Sequence, residues 1–228
     1  MSYKMIFFDA DGTLFDFDRS ERHAFSAACE DVGIPADLRL YERYHTINNA
    51  LWKEFELGNI DQPTLRLQRF AQVFHETNIH ADVSFMNRRY TLRLSQCSYL
   101  IDGALELCQK LHGQYPLVVV TNGVPEVQKP RIIKSALAPY IDHLFISGEI
   151  GWQKPHPAYF ESVFEQLGIE KSERRQIILL GDSLSSDMLG GHNAGLTTCL
   201  FSPNGAKGNE TCDYQITHLL DFLKLVTH

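Results

Sequence analysis

Met5 to Phe8 is an unbroken apolar run with no polar alternation, the pattern of a strand buried on both faces, and it ends on a carboxylate at Asp9. From Asp16 to about Ser98 the pattern changes. Buried-strand runs stop there, and apolar positions such as Leu51 and Phe55, then Leu65, Leu67, Phe70, Val73 and Phe74, recur at helical steps. That period predicts four or five amphipathic helices packed on one another, broken at Gly33-Ile34-Pro35, at Gly58-Asn59-Ile60-Asp61 and between Glu76 and Asp82. Asp61 with Pro63 resembles a helix start.

After Asp102-Gly103 the chain alternates helix and apolar strand. Helices are predicted over 104–112, 127–136, 157–167 and 187–194, strands over 117–120, 144–147, 177–180 and 197–201, and a closing helix near 218–226. Such alternation specifies an α/β fold, a doubly wound, Rossmann-like parallel sheet. The first strand belongs to the same sheet, so the helical stretch is an insertion. Residues 1–15 and 99–228 are therefore expected to form the α/β core, and 16–98 an α-helical cap. Ligands in such sheets bind beyond the carboxyl ends of the strands, where strand order reverses, which places the cap over the site.

Residues at the strand ends carry the candidate chemistry. Gly12 lets the chain turn just after Asp11, so Asp9 and Asp11 can point into one crevice. Thr121-Asn122-Gly123 follows the second strand, where a hydroxyl, an amide and backbone N–H groups can cradle a phosphate or simply form a strand-to-helix turn. Gly181-Asp182 closes the 177–180 strand, and Asp187 follows five residues on, either in the same crevice or as an ordinary helix N-terminal acid. Lys154, in Gly151-Trp152-Gln153-Lys154-Pro155, gains weight only from this company, since a lone loop lysine is usually solvated.

Charge then selects the partner. Asp9, Asp182 and Asp187 beside a phosphate dianion carry about five negative charges, which cannot remain ionised together without compensation. One divalent cation with Lys154 supplies about three positive charges, and oxygen-only ligands select a hard cation, magnesium.

Composition narrows the setting. Of 228 residues, 44% are hydrophobic and 21% charged, an ordinary globular balance for one large domain or a core with a smaller unit. A net charge of −7 argues against a nucleic-acid polymer or an anionic membrane as partner. Five cysteines without a C-x-x-C pair suggest neither a disulfide framework nor a zinc cluster. The first apolar run is too brief for a signal peptide and no later one is long enough to span a bilayer, so a soluble cytoplasmic protein is expected. His45, His75 and His80 lack metal-like company and read as surface or packing residues.

With these residues assembled, the chain resembles the haloacid dehalogenase superfamily of phosphohydrolases over nearly its whole length. Asp9-Ala10-Asp11-Gly12-Thr13 matches the D-x-D-x-T motif, Thr121 the second motif, Lys154 the third, and Gly181-Asp182 to Asp187 the fourth. The resemblance implies that Asp9 is a nucleophile forming an aspartyl-phosphate, and that Asp11 is the acid and then the base. It further implies that Asp9, the Asp11 backbone carbonyl and Asp182 hold magnesium, with Asp187 supporting that shell, and that Thr121, Asn122, Gly123 and Lys154 bind the phosphoryl group. Dehalogenase members need neither an acid two residues after the nucleophile nor a metal, so Asp11 and the acidic fourth motif argue against that chemistry.

A closer similarity, to the bacterial pyrimidine 5'-nucleotidase branch, is carried by the stretch 47–60, by Thr121-Asn122-Gly123-Val124 and Gly151-Trp152-Gln153-Lys154-Pro155, and by Gly191-His192-Asn193-Ala194-Gly195-Leu196. It implies hydrolysis of pyrimidine nucleoside 5'-monophosphates, deoxy and non-canonical ones included. Leu51, Trp52 and Phe55 read equally as packing of the cap. Two other readings use the same fold: a phosphatase or mutase acting on a sugar phosphate or phosphoglycolate, and a binding protein without turnover, which the intact Asp9, Asp11, Lys154 and Asp182 disfavour.

Overall fold

The computed structural model describes residues 3–226. The chain begins with strand β1 (Met5–Phe8) and continues through helices α1 (Phe17–Asp31), α2 (Leu38–Glu56), α3 (Gln62–Glu76), α4 (Val83–Leu94) and α5 (Ala104–Leu111). Then follow β2 (Leu117–Thr121), α6 (Pro125–Lys134), β3 (His143–Ile146), α7 (Ser147–Ile150) and α8 (Pro157–Leu167). The chain closes with β4 (Ile177–Gly181), α9 (Leu189–Asn193), β5 (Thr197–Phe201), β6 (Tyr214–Ile216) and α10 (Leu223–Val226).

The strands form one six-stranded sheet in the order β3-β2-β1-β4-β5-β6, each neighbouring pair parallel. Both faces are apolar because successive side chains alternate across the sheet. Ile6, Phe8, Val119, Ile178 and Leu180 pack toward α5 and the C-terminal segment, while Phe7, Val118, Val120, Ile177 and Leu179 pack toward α8. From β1 the chain runs outward through β2 and β3, then crosses back to β4 and runs the other way. The crevice of a doubly wound sheet therefore opens at the carboxyl ends of β1, β2 and β4.

Helices α1 to α4 all lie between β1 and β2 in sequence, and they share their own core. Phe25 stacks on Tyr44 with ring centroids 4.4 Å apart, and Tyr44 on Phe70 at 5.3 Å. An aspartate starts each of the four: Asp16, Asp37, Asp61 and Asp82 accept from the backbone N–H groups of Arg19, Leu40, Thr64 and Phe85. Each such cap stabilises its helix by about 1 kcal/mol. Val124 and Val127, at the start of α6, join this core from the sheet side. Hydrogen bonds tie the same helices to the sheet's loops: Gln62 Nε2 to the carbonyls of Asn122 (3.2 Å) and Gly123 (3.3 Å), Gln153 Nε2 to that of Phe55 (3.0 Å), and Ser185 Oγ to Glu56 Oε2 (2.6 Å).

Three details differ from the sequence expectation. β6 is an additional edge strand of only three residues, two of them exposed, and it lacks the apolar run that marks the others. The helix expected over 187–194 is a π-helical turn, Leu184–Met188, followed by the short α9. The closing helix begins as a 3-10 turn, Leu219–Phe222, before α10.

Candidate active site

The apolar β1 delivers Asp9 to the end of the sheet, and the turn after it is built around Gly12. Gly12 has φ +83°, and a Cβ there would fall 2.3 Å from Asp182 Oδ2, so the loop after β1 and the loop after β4 touch only because this residue has no side chain. Thr13, fully buried, reaches Asp182 Oδ1 at 3.5 Å. The strand-end residues consequently converge from β1, β2 and β4.

Lys154 is the hub of that convergence. Its side chain is 1% exposed, and Nζ donates to Asp9 Oδ1 at 2.6 Å, to Asp187 Oδ1 at 2.6 Å and to the Val120 carbonyl at 2.8 Å. Burial lowers the pKa of the ammonium, but Asp187 and Asp9 outweigh it and hold the group well above its ordinary value. Asn122 supports the lysine from the backbone: its Nδ2 donates to the Lys154 carbonyl and its Oδ1 accepts from the Lys154 N–H, both at 2.8 Å. Thr121 Oγ1 accepts from the Gly123 N–H at 3.1 Å.

Asp9, Asp182 and Asp187 each offer a carboxylate oxygen within 4.8 Å of the others. Asp187 is fully buried within the π-helical turn, and its Oδ2 accepts from the Ser183 N–H at 3.1 Å, so it faces the cluster and not the solvent. Gly181 makes room for it, since a Cβ there would lie 2.4 Å from Asp187 Oδ2. Burial, and then Asp187 and Asp11, push the Asp9 carboxyl up to about 7 against the pull of Lys154. Asp182 keeps an exposed edge yet is crowded by neighbouring atoms, and that crowding together with Asp9 and Asp187 drives it well upward. Three carboxylates compensated by one ammonium form a site short of positive charge.

Asp11 stands apart from that trio. Gln128 Nε2 donates to its Oδ2 at 2.5 Å and Arg131 Nη1 to its Oδ1 at 2.6 Å. Arg131 is fully buried, donates through Nε to the Cys97 carbonyl at 2.8 Å, and lies over the Phe15 ring. Among the described residues its Nη2 has no hydrogen-bond partner. Neither Gln128 nor Arg131 was legible as a site residue. Their one signal is a three-residue helical step on α6, directly after Thr121-Asn122-Gly123.

A cavity of about 200 Å³ opens above these groups. Asp9, Asp11, Lys154 and Asp182 line one side, and Phe17, Asn49, Trp52 and Glu56 line the other. Leu51 and Phe55 of α2 pack into the helical core, whereas Trp52, one residue out of that stripe, reaches the cavity. Behind Asn49, the buried Glu21 accepts from Asn48 Nδ2 and from the Tyr41 hydroxyl and meets His45 Nδ1. Burial pushes the Glu21 carboxyl up, and His45 and Tyr41 pull it back. His45 thus belongs to a polar network of the helical region. Among the described residues no helix is long and apolar enough to cross a membrane.

Comparison with known proteins gives concordant results. The family model for haloacid dehalogenase-like hydrolases matches residues 3–195. The pyrimidine 5'-nucleotidase PynA of Streptococcus pneumoniae is 35% identical over 230 aligned positions, covering 98% of this chain and 96% of that protein. The pyrimidine 5'-nucleotidase YjjG of Escherichia coli is 31% identical over 87% of this chain and 86% of its own length. The crystal structure of HAD-hydrolase YfnB from Bacillus subtilis, bound to magnesium, superposes with a TM-score of 0.92 at 34% identity over the whole of both chains.

Proposed function

The chain belongs to the haloacid dehalogenase-like hydrolases, and from that membership we propose that it is a magnesium-dependent phosphomonoesterase acting on pyrimidine nucleoside 5'-monophosphates. One observation carries the reading: a nucleophile-grade acidic cluster with a buried lysine forms the floor of a cavity whose roof is aromatic and amide. The relatives named for pyrimidine nucleotidase activity align over 98% and 87% of this chain, and the cavity over the acidic cluster presents Asn49 and the Trp52 ring to a base. Residues 16–98 serve as the cap that closes the base end of this cavity, and 1–15 with 99–228 as the catalytic core.

The donor set fits a hard divalent cation. All three clustered side chains are carboxylates without histidine or cysteine among them, and the Asp9 and Asp182 carboxyls are raised, first by burial and then by neighbouring carboxylates, which a bound cation would offset. Asp9, Asp182 and the Asp11 backbone carbonyl would hold magnesium, with Asp187 supporting the shell through its link to Lys154. When bound, the ion neutralises charge on the phosphoryl oxygens and on the attacking carboxylate.

The chain's own residues supply the remaining steps. A carboxylate oxygen of Asp9 attacks phosphorus, the bond from phosphorus to the nucleoside 5'-oxygen breaks, and an aspartyl-phosphate forms. The Asp11 carboxyl gives its proton to the leaving oxygen, then removes a proton from the water that attacks phosphorus, which releases inorganic phosphate and restores Asp9. Lys154, Thr121 and Gly123 meet charge on the transferring group, and Asn122 acts by keeping Lys154 in place. Replacing Asp9 by Asn tests this assignment: the variant is expected to fold and to release no phosphate, and wild-type turnover in it contradicts the nucleophile.

A further inference from the structure

The polar network behind the cavity ends on a side chain that lines it, Asn49. Glu21 of α1 is fully buried, and the Tyr41 hydroxyl (3.1 Å) and Asn48 Nδ2 (2.7 Å) donate to its carboxylate, with His45 Nδ1 at 2.5 Å as the third contact. Asn48 is oriented in turn by Arg69, whose Nη1 donates to Asn48 Oδ1 at 3.2 Å and whose Nη2 donates to Asn87 Oδ1 at 3.2 Å. With Glu21 ionised, its carboxylate accepts and His45 Nδ1 is the donor in that contact. A neutral imidazole with Nδ1–H presents Nε2 as an acceptor.

Asn49 Nδ2 lies 3.0 Å from that Nε2. With the imidazole neutral, one amide hydrogen of Asn49 is committed to His45, and that contact sets the flip of the amide. His45, Asn49, Trp52 and Glu56 follow one another on α2 at steps of four, three and four, so they form a single stripe down one helix face. The last three of them line the cavity opposite Asp9 and Lys154.

We propose that Asn49 reads the Watson–Crick edge of the base, and that His45, held by Glu21, is a positioning residue that sets which way the Asn49 amide faces. The proposal rests on the reading of this site as a nucleoside monophosphatase and names the residue that recognises the base. The Asn49 carbonyl oxygen and remaining N–H form an acceptor beside a donor. Uracil and thymine answer with N3–H and an adjacent carbonyl, and cytosine with its exocyclic amine and N3. The Trp52 ring supplies an apolar face for the same base. Once a base covers it, an amide committed in this way penalises a substrate that leaves its remaining groups unpaired.

The test is steady-state hydrolysis of UMP, AMP and p-nitrophenyl phosphate, with magnesium, by the wild type and by Asn49→Ala, His45→Leu and His45→Gln. The Asn49 side chain is exposed, so Asn49→Ala is expected to fold and keeps the proposal testable if His45→Leu does not. For Asn49→Ala, the loss of kcat/KM on UMP is expected to exceed the loss on p-nitrophenyl phosphate, which carries no base, by about tenfold or more, mostly through KM. His45→Leu is expected to follow the same pattern, and His45→Gln, whose amide can donate to Glu21 and accept from Asn49, to recover most of it. Equal losses on UMP and p-nitrophenyl phosphate in Asn49→Ala overturn the base-reading role. A His45→Gln variant no better than His45→Leu overturns the positioning role. A wild type that hydrolyses AMP as well as UMP overturns the pyrimidine preference, and one that hydrolyses p-nitrophenyl phosphate but neither nucleotide overturns the nucleotidase reading itself, before any variant is compared.

Discussion

Lys154 Nζ stands 2.6 Å from Asp9 Oδ1 although the two residues are 145 positions apart in sequence and both are buried. A buried charge pair of this kind is costly to break from one side, because the partner is left uncompensated. Lys154→Met is therefore expected to lower unfolding free energy by about 3–5 kcal/mol in chelator, with a smaller loss when magnesium is present, and to remove phosphatase activity. Urea denaturation with and without magnesium measures the difference, and an equal loss in both conditions would contradict the electrostatic account.

Cation binding should register in stability without any turnover. At a magnesium concentration of about one hundred times its dissociation constant, the wild type is expected to gain about 2.7 kcal/mol, a Tm increase of roughly 5–10 °C for a chain of this size. Asp182→Asn removes one carboxylate of the trio and is expected to lose most of that increase. A thermal melt series against magnesium reads both results.

The pH dependence of the metal-free protein follows from Asp9. Burial raises this carboxyl from its ordinary value to about 7, so between roughly pH 4 and 7 the folded state holds a proton that the unfolded state has lost. The folded state then binds more protons, and the contribution of this group to stability falls as pH rises through that window. Asp182 is shifted in the same direction and adds to the effect. Denaturation in chelator is expected to show a smaller contribution to stability at pH 8 than at pH 5, and magnesium to stabilise more at pH 8. The opposite slope of the magnesium increment would contradict the assignment of the ligands.

Much of this was visible in the sequence, and the reasons are specific. The runs at Met5–Phe8, Leu117–Thr121 and Ile177–Gly181 are apolar on both faces, so strand and sheet class were legible, as were the acids and the threonine that terminate them. β6 was not legible, because an exposed edge strand of three residues carries no burial pattern. Lys154 was legible only through its company, since its burial depends on Asp9 and Asp187 arriving from distant segments. Gln128 and Arg131 were missed for the same reason: their meaning depends on Asp11, which lies more than a hundred residues upstream. In α2 the apolar stripe of Leu51 and Phe55 masked the adjacent stripe that reaches the cavity.

Gly12 couples backbone conformation to the acidic cluster. Gly12→Ala would hold a side chain at φ +83°, which costs about 1–2 kcal/mol, and would drive a methyl group into the Asp182 carboxylate. The expected result is a modest fall in Tm with a disproportionate loss of magnesium affinity, measured by titration. Unchanged affinity would show that Asp182 does not need its present position.

Arg131 bears on catalysis through Asp11. Arg131→Met, which keeps the apolar stem of the side chain but not its donors, is expected to lower kcat by about tenfold or more with little change in KM, because general acid–base steps contribute about 10²–10⁴ and depend on aim. Steady-state kinetics on one nucleotide checks this, and a change confined to KM would contradict a role through Asp11.

Phosphate release from a panel of pyrimidine and purine nucleoside 5'-monophosphates and sugar phosphates, each with magnesium and with chelator, tests the central claim most directly. The expected result is the highest kcat/KM on pyrimidine 5'-monophosphates and none with chelator. Faster release from sugar phosphates, or release that survives chelation, would contradict it.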